Sequence, residues 1–225
     1  MNSFLKYFLV VSIFYLSLIL VGQENVAWYF KPLLLPFLII ATYESKPFES
    51  KKWLLLGLFF SWIGDIILMF ADKGELYFIF GLVSFLVAHL QFIVLFIKQK
   101  PETNYKKNSF FWIGFLATLA YLASLLLLLF PTLGDLKIPV FVYAATISLM
   151  LIEAIKGYFS WQKPTNAVIL IGAIFFVTSD SILAINKFYS PLPSASFLIM
   201  FTYSVAQYLI TSGILTLGSN QQNNI

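Results

Sequence analysis

The chain has 225 residues, of which 60% are hydrophobic and only 11% are charged, and its mean hydropathy is +0.88. This composition excludes an ordinary soluble domain, because so many apolar residues would cover its surface as well as its core. The net charge is +4, and all the basic residues are lysines that lie mostly between apolar stretches, so we predict no nucleic-acid partner. The chain has no cysteine, which excludes disulfides and thiolate catalysis.

Apolar stretches long enough to cross a bilayer core of about 30 Å recur along the chain. They lie at residues 4–22, 26–43, 52–71, 76–97, 109–130, 138–158, 165–186 and 195–217. The first lacks a small-residue cleavage site after its apolar run, so we expect it to be a retained helix. We therefore predict an all-α polytopic membrane protein with eight transmembrane helices in a single transmembrane domain, residues 1–225.

The lysines between the spans predict the orientation of the helices. Ten lie on the side shared by both termini: Lys6, Lys46, Lys51, Lys52, Lys98, Lys100, Lys106, Lys107, Lys156 and Lys163. Three lie on the opposite side: Lys73, Lys137 and Lys187. Because lysine-rich loops stay in the cytoplasm, we expect both termini to be cytoplasmic, in a multi-pass protein of a bacterial inner membrane.

The third and seventh spans resemble each other. The third contains "GLFFSWIGDIIL" (57–68) and the seventh "GAIFFVTSDSIL" (172–183), and in each an Asp follows a Gly by eight residues. The spans that follow them also match, with "FLVAHLQFI" (85–93) against "YSVAQYLIT" (203–211). We therefore predict two parallel four-helix repeats, about 1–98 and 109–217, with a site between them.

Two aspartates, Asp65 and Asp180, lie at equivalent places in this repeat, inside apolar spans. At ~1.5 Å per residue, each lies about 21–22 Å from the cytoplasmic end of its span. Lys31 lies near the same level, whereas His89 lies about 10 Å deeper, at a depth similar to that of Gln207. Because ionisable groups inside a membrane are costly, we predict that these residues border one polar functional cavity.

Each residue also has a purely structural interpretation. An aspartate could pair with Lys31 to hold helix register, His89 could be a hydrogen-bonded bundle histidine, and Gln207 could join two helices. Ser179 could bond to its own helix backbone. These interpretations do not explain why two Asp, one Lys and one His converge on one half of the membrane.

Five segments in order resemble the conserved blocks of the YhhN family, which includes the eukaryotic transmembrane lysoplasmalogenases. They are "KPLLLP" (31–36), "WIGDIILMF" (62–70), "FIFGLVSFLVAHLQF" (78–92), "GAIFFVTSDSILAI" (172–185) and "YSVAQYLITSG" (203–213). The resemblance implies hydrolysis of the vinyl ether bond of lysoplasmalogens, a class of lysophospholipid, to a fatty aldehyde and a glycerophospho-alcohol. The family's characteristic polar residues fall on Lys31, Asp65, His89, Ser179, Asp180 and Gln207.

This chemistry suits two carboxylates. A vinyl ether is cleaved by protonation of an alkene carbon, which gives an oxocarbenium ion that water captures. One acid can donate the proton while the other steadies the cation or activates water, as in glycosidases. Sequence leaves open which of Asp65 and Asp180 is the donor, and His89 is a third catalytic candidate as a proton relay.

The candidate substrate-binding residues are Lys31 for the lipid phosphate, Ser179 and Gln207 as polar contacts, and Trp62 and Tyr203 as aromatic lining. We predict no cofactor and no metal, because a divalent ion held by Asp65, Asp180 and His89 would need ligands at one depth. The alternatives are a small lipid or solute transporter with its polar site at the repeat interface, a metal-dependent hydrolase and a scaffold.

Overall fold

The computed structural model describes residues 2–101 and 109–223, so that Lys106 and Lys107 of the topology prediction lie outside the described residues. The described residues are helical, with short turns and no strand. The α-helices are α1 (Ser3–Leu20), α2 (Glu24–Phe30), α3 (Leu34–Tyr43), α4 (Lys51–Leu68), α5 (Glu75–Ile97), α6 (Ser109–Leu129), α7 (Lys137–Ser160), α8 (Thr165–Phe188) and α9 (Ala195–Asn223).

These helices confirm the all-α polytopic membrane fold and match the eight expected spans, with α2 and α3 together forming the second. Within the part of the chain that the structure describes, seven of the spans are long and apolar enough to cross a membrane. The remaining span is the third, α4. It has 18 residues, as α1 has, but it is less apolar because it carries three charged residues, Lys51, Lys52 and Asp65. The last helix runs to Asn223, six residues past the expected end, because its polar C-terminal residues continue the helix.

The second span, predicted at residues 26–43, is not one continuous helix. A short 3₁₀ turn, Lys31–Leu33, separates α2 from α3. Pro32 and Pro36 explain this break, because neither has the N–H that would bond to the carbonyl four residues earlier in an α-helix.

The chain divides into two compact units. The first unit contains Met1–Lys98 together with Thr211–Ile225, and the second contains Gln99–Ile210. The helix α9 therefore supplies its first part to the second unit and its last part to the first.

In the first unit, α4 and α5 pack closely along most of their length. A Cβ at Gly57 would lie 2.8 Å from a Phe92 ring atom, and one at Gly64 would lie 2.7 Å from the Phe85 ring. The Ser84 hydroxyl adds an interhelical hydrogen bond of 2.7 Å to the Phe60 carbonyl. Small residues thus let the two helices approach at the level of Asp65, as is common in membrane helix pairs.

In the second unit, α6, α7 and α8 pack against one another, and apolar side chains close the end where α6 turns into α7. This core consists of Leu125, Leu129, Leu133 and Val140, with Ile185 and Phe188 of α8 packed against it. The packing fixes the C-terminal half of α8, which carries Asp180.

Candidate functional site

Asp65 is buried in α4, with 3% of its surface exposed, directly after the close contact of Gly64 with Phe85. The Tyr15 side chain of α1 is also buried and lies within electrostatic range of the Asp65 carboxylate. Tyr15 was not among the predicted site residues. Asp65 thus lies in the packed interior of the first unit, away from the lipid face of its helix.

Trp62 lies one turn before Asp65 and connects α4 to the break in the second span. Its indole Nε1 donates a hydrogen bond of 2.8 Å to the carbonyl of Pro32. In a regular helix that carbonyl would accept from the N–H of residue 36, but residue 36 is proline and has none. The side chain of Trp62 supplies the missing donor, and the residue next to Pro32 is Lys31.

Lys31 begins the 3₁₀ turn, and its side chain is partly exposed. Within the described ranges 2–101 and 109–223, its ammonium makes no ion pair or hydrogen bond. The structural interpretation of Lys31 as an ion-pair partner of an aspartate is therefore wrong for the described residues. Its charge is available to an anionic group.

His89 of α5 is completely buried, and its Nδ1 lies 2.6 Å from the carbonyl oxygen of Phe85. Because a carbonyl only accepts, Nδ1 carries the proton in this contact, and a neutral ring then has Nε2 as an acceptor. The bond runs back one helical turn and orients the imidazole, as the structural interpretation of His89 expects.

Asp180 of α8 is buried, with 8% of its surface exposed, and has a tyrosine partner on the neighbouring helix. The hydroxyl of Tyr143 in α7 donates a hydrogen bond of 2.9 Å to Asp180 Oδ2. A hydrogen bond to a carboxylate is stronger than one between neutral groups, particularly where water is absent. Tyr143 therefore holds the Asp180 carboxylate in place.

A second tyrosine, Tyr121 of α6, reaches the residue after Asp180. Its hydroxyl makes a hydrogen bond with the Ser181 hydroxyl, and Tyr121 also lies within electrostatic range of Asp180. The single Ser181 proton goes to the Val177 carbonyl, 2.6 Å away, so Tyr121 is the donor to Ser181. Hydroxyl groups from α6 and α7 thus meet α8 at Asp180 and its neighbour.

Ser179, on the other side of Asp180, joins α8 to α9. Its hydroxyl donates to the Ile199 carbonyl at 3.0 Å, so the interpretation that it bonds to its own helix is wrong. Tyr203 is buried one turn beyond Ile199 and packs edge-on against Phe176, with ring centroids 5.6 Å apart. Both residues are thus placed between helices of the second unit.

Gln207 is completely buried in α9, yet neither its amide oxygen nor its amide nitrogen makes a hydrogen bond within the described part of the chain. The hydroxyl of Ser204, one turn earlier on the same helix, is likewise buried without a partner there. The interpretation of Gln207 as a hydrogen-bonded link between helices is therefore wrong for the described residues. Buried amides without protein partners normally bind water or a polar ligand group.

The structure therefore groups the predicted residues by unit. In the first unit, Trp62 and Asp65 lie one turn apart on α4, and Trp62 bonds to Pro32, the residue after Lys31. In the second unit, Ser179 and Asp180 lie on α8, and Tyr203 of α9 packs against that helix. The convergence of Asp65 and Asp180 on one cavity stays a prediction.

Sequence reasoning missed three tyrosines: Tyr15, Tyr121 and Tyr143. Each of them lies inside an apolar span, whereas most of the other tyrosines lie nearer the ends of spans. That position is the signal by which they could have been found. Among residues 2–101 and 109–223, no group of three or more His, Cys, Asp or Glu side chains is arranged to hold a metal ion.

Comparison with known proteins gives one family and several named relatives. The model of the YhhN family matches residues 26–214. The human protein named Lysoplasmalogenase TMEM86A is 35% identical over 166 residues, which are 72% of this chain and 64% of the relative. The Mycobacterium tuberculosis protein named Lysoplasmalogenase is 30% identical over 167 residues, which are 73% of this chain and 61% of the relative.

The human protein named Lysoplasmalogenase TMEM86B is 30% identical over 202 residues, 87% of this chain and 79% of the relative. The match thus spans less than two thirds of TMEM86A and of the mycobacterial relative, and more than two thirds of TMEM86B. No solved structure matches the chain.

Proposed function

The chain belongs to the YhhN family, and on that premise we propose that it is a membrane hydrolase that cleaves the vinyl ether bond of lysoplasmalogen-type lysophospholipids. The products are a fatty aldehyde and a glycerophospho-alcohol. The observation that carries the proposal is Asp180, a buried carboxylate inside an apolar helix, which accepts a hydrogen bond from Tyr143. Such a group is costly to keep in a membrane unless it is used.

The reaction needs an acid, a stabilising negative charge and a water molecule. A carboxylic acid adds a proton to the alkene carbon that is not bonded to oxygen, and the alkene electrons form the new C–H bond. The resulting oxocarbenium ion takes up water and loses a proton, which gives a hemiacetal. The hemiacetal then breaks its other C–O bond, releasing the aldehyde and the alcohol.

We assign to Asp180 the stabilisation of the oxocarbenium ion. The Tyr143 hydroxyl donates to it, so Asp180 acts as an acceptor and its negative charge is already oriented by the protein. Asp65 is then the proton donor, with His89, oriented by the Phe85 carbonyl, as a relay that resupplies the proton.

Gln207 is suited to hold the attacking water or a polar group of the substrate. Its buried amide makes no hydrogen bond within the described residues and has both a donor and an acceptor. Ser204 lies one helical turn away and adds a further hydroxyl. A water bound between them would have the polar partners that ordered waters require.

Lys31 is suited to the lipid phosphate. It lies at a helix break close to a span end, and its ammonium makes no ion pair within the described ranges. The contact of Trp62 with the Pro32 carbonyl holds the backbone beside it. A lysine binds phosphate as a point charge, which suits a headgroup that varies in its alcohol.

The test is a lipid panel with the purified protein in detergent, following aldehyde and fatty acid release separately. Aldehyde from a 1-alkenyl lysophospholipid, with no fatty acid from its acyl counterpart, is the expected result. Fatty acid release would instead indicate an esterase, and turnover of neither lipid would contradict the proposal.

A transporter remains the second candidate because the second span is broken at Lys31–Leu33. Broken helices with polar residues are typical of transport sites in secondary carriers. Movement of a labelled lysolipid across proteoliposomes without any product would favour this candidate over hydrolysis.

We also propose that both termini are cytoplasmic and that the membrane is a bacterial inner membrane, on the basis of the lysine distribution. A reporter fused after the last residue should then be active in the cytoplasm. A reporter that is active only on the other side would contradict this topology.

A further inference from the structure

The second unit contains a cavity that the proposed reaction has not used. It has a volume of about 390 Å³ and lies among α6, α7 and α8. Its walls are mostly apolar, and they include Ala117, Thr118 and Tyr121 of α6, Leu151 and Ile155 of α7, and Ile174 of α8. The cavity is open at the side, and the small side chains of α6 leave the space.

The size of the cavity fits one lipid chain. Along α6 its lining runs from Phe110 to Tyr121, which is about 17 Å at ~1.5 Å per residue. That length is close to half of a hydrocarbon core of about 30 Å, the depth that the chains of one leaflet fill. Within the bilayer, an apolar opening of this kind is filled by hydrocarbon because its walls have few groups that bind water.

One end of the cavity meets the polar groups around Asp180. The ring of Tyr121 lines this end, while its hydroxyl donates to Ser181, the residue after Asp180. Asp180 itself lies six residues beyond Ile174 on α8, about 9 Å along the helix. A chain in the cavity would therefore have one end beside the carboxylate and the other near the start of α6.

We propose that this cavity binds the single hydrocarbon chain of the lipid substrate and places the first carbons of that chain beside Asp180. The proposal rests on the function proposed above, and it commits to a chain with one polar end rather than to a bulk diacyl lipid. Ala117 is the residue that determines specificity, because its methyl group leaves room that a larger side chain would fill. The length of chain that the protein accepts then depends on this position.

The experiment compares Ala117→Phe with Ala123→Phe, since both alanines are exposed on α6 and only Ala117 lines the cavity. Each variant is given a 1-alkenyl lysophospholipid with a long (hexadecenyl) chain and one with a short (octenyl) chain. We expect Ala117→Phe to lower kcat/KM for the long chain about 10-fold, within the range for pocket contacts with apolar groups. The short chain and the Ala123→Phe variant should be affected little.

A second measurement does not depend on turnover. A lysophospholipid whose saturated alkyl chain carries a photoreactive group should label peptides of α6, α7 or α8 in the wild type and less in Ala117→Phe. Labelling there without any turnover would support the chain site and contradict the proposed hydrolysis. Equal chain preference and equal labelling in both variants would overturn the chain site, and bulk lipid would then fill the cavity. Ala117→Leu replaces Ala117→Phe if the latter is absent from the membrane.

Discussion

The two aspartates occupy the same place in a repeated sequence, but their surroundings differ. In the first unit, Asp65 follows a glycine contact between α4 and α5, and the neighbouring span is broken by Pro32 and Pro36. In the second unit, the neighbouring span α7 is continuous, and its Tyr143 donates to Asp180. Each aspartate has a tyrosine within electrostatic range, Tyr15 of α1 for Asp65 and Tyr121 of α6 for Asp180. The difference teaches that two similar sequence segments can place the same carboxylate in different hydrogen-bonded surroundings.

The largest expected effect comes from removing either acid. Asp65→Asn and Asp180→Asn should each lower aldehyde release by about 10²–10⁴-fold, the range typical of a lost general acid or an equivalent charge. Both variants should still be found in the membrane in normal amounts, because an amide is close to a carboxyl group in shape. Substantial activity in either variant would contradict the two-carboxylate scheme.

Removing the tyrosine hydroxyl near each aspartate should lower activity by different amounts for the two aspartates. Tyr143→Phe should lower kcat about 10-fold with little change in KM, because a hydrogen bond to a charged group is worth about 1.5–3 kcal/mol. Tyr15→Phe should have a smaller effect, since Tyr15 is only an electrostatic neighbour of Asp65. Tyr7→Phe, at an exposed position near the start of α1, is the control. Equal losses in Tyr143→Phe and Tyr15→Phe would mean that the two surroundings are equivalent.

The broken span offers a test with a built-in rescue. Trp62→Phe removes the donor to the Pro32 carbonyl and should raise KM a few-fold, because the backbone beside Lys31 loses a contact of about 1 kcal/mol. Pro36→Ala restores the N–H of residue 36, which can bond to the same carbonyl. The double variant should therefore have a lower KM than Trp62→Phe alone. If it does not, Trp62 acts through packing only.

The smallest expected effect is on the link between α8 and α9. Ser179→Ala removes the hydrogen bond to the Ile199 carbonyl and should destabilise the folded protein by about 0.6 kcal/mol, the average for such bonds between membrane helices. Thermal denaturation in detergent would measure it, with Ser124→Ala, whose hydroxyl bonds only within α6, as the control. A large loss of activity at unchanged stability would instead place Ser179 in contact with the substrate.

The positions of the spans and of Asp65 and Asp180 could be predicted from sequence, because long apolar runs and isolated charges are local signals. The break at Lys31 was also signalled locally by Pro32 and Pro36. The partners of the acids could not be predicted, since they depend on how each helix is rotated. The apolar residues of α6 surround the whole helix, so its sequence does not indicate that Tyr121 faces Ser181.

The hydrogen bond from Trp62 to the Pro32 carbonyl could be predicted only in part. Pro36 predicts that this carbonyl lacks its helical donor. That the donor is an indole from α4 follows only from the packing of the two helices. The cavity beside Tyr121 is likewise a property of packing, because Gly114 and Ala117 are ordinary residues in an apolar span.

The charges of α4 have a consequence for how the protein enters the membrane during synthesis. An aspartate at the centre of a helix adds about 2.5–3.5 kcal/mol to the apparent free energy of insertion by the translocon, and Asp65, three residues from the end of α4, adds a smaller cost of the same sign. The next helix, α5, is longer and strongly apolar, it follows after six residues, and it packs closely on α4 through Gly57 and Gly64. We therefore expect α4 to leave the translocon together with α5 as a hairpin, so that Asp65 meets a protein neighbour before it meets lipid.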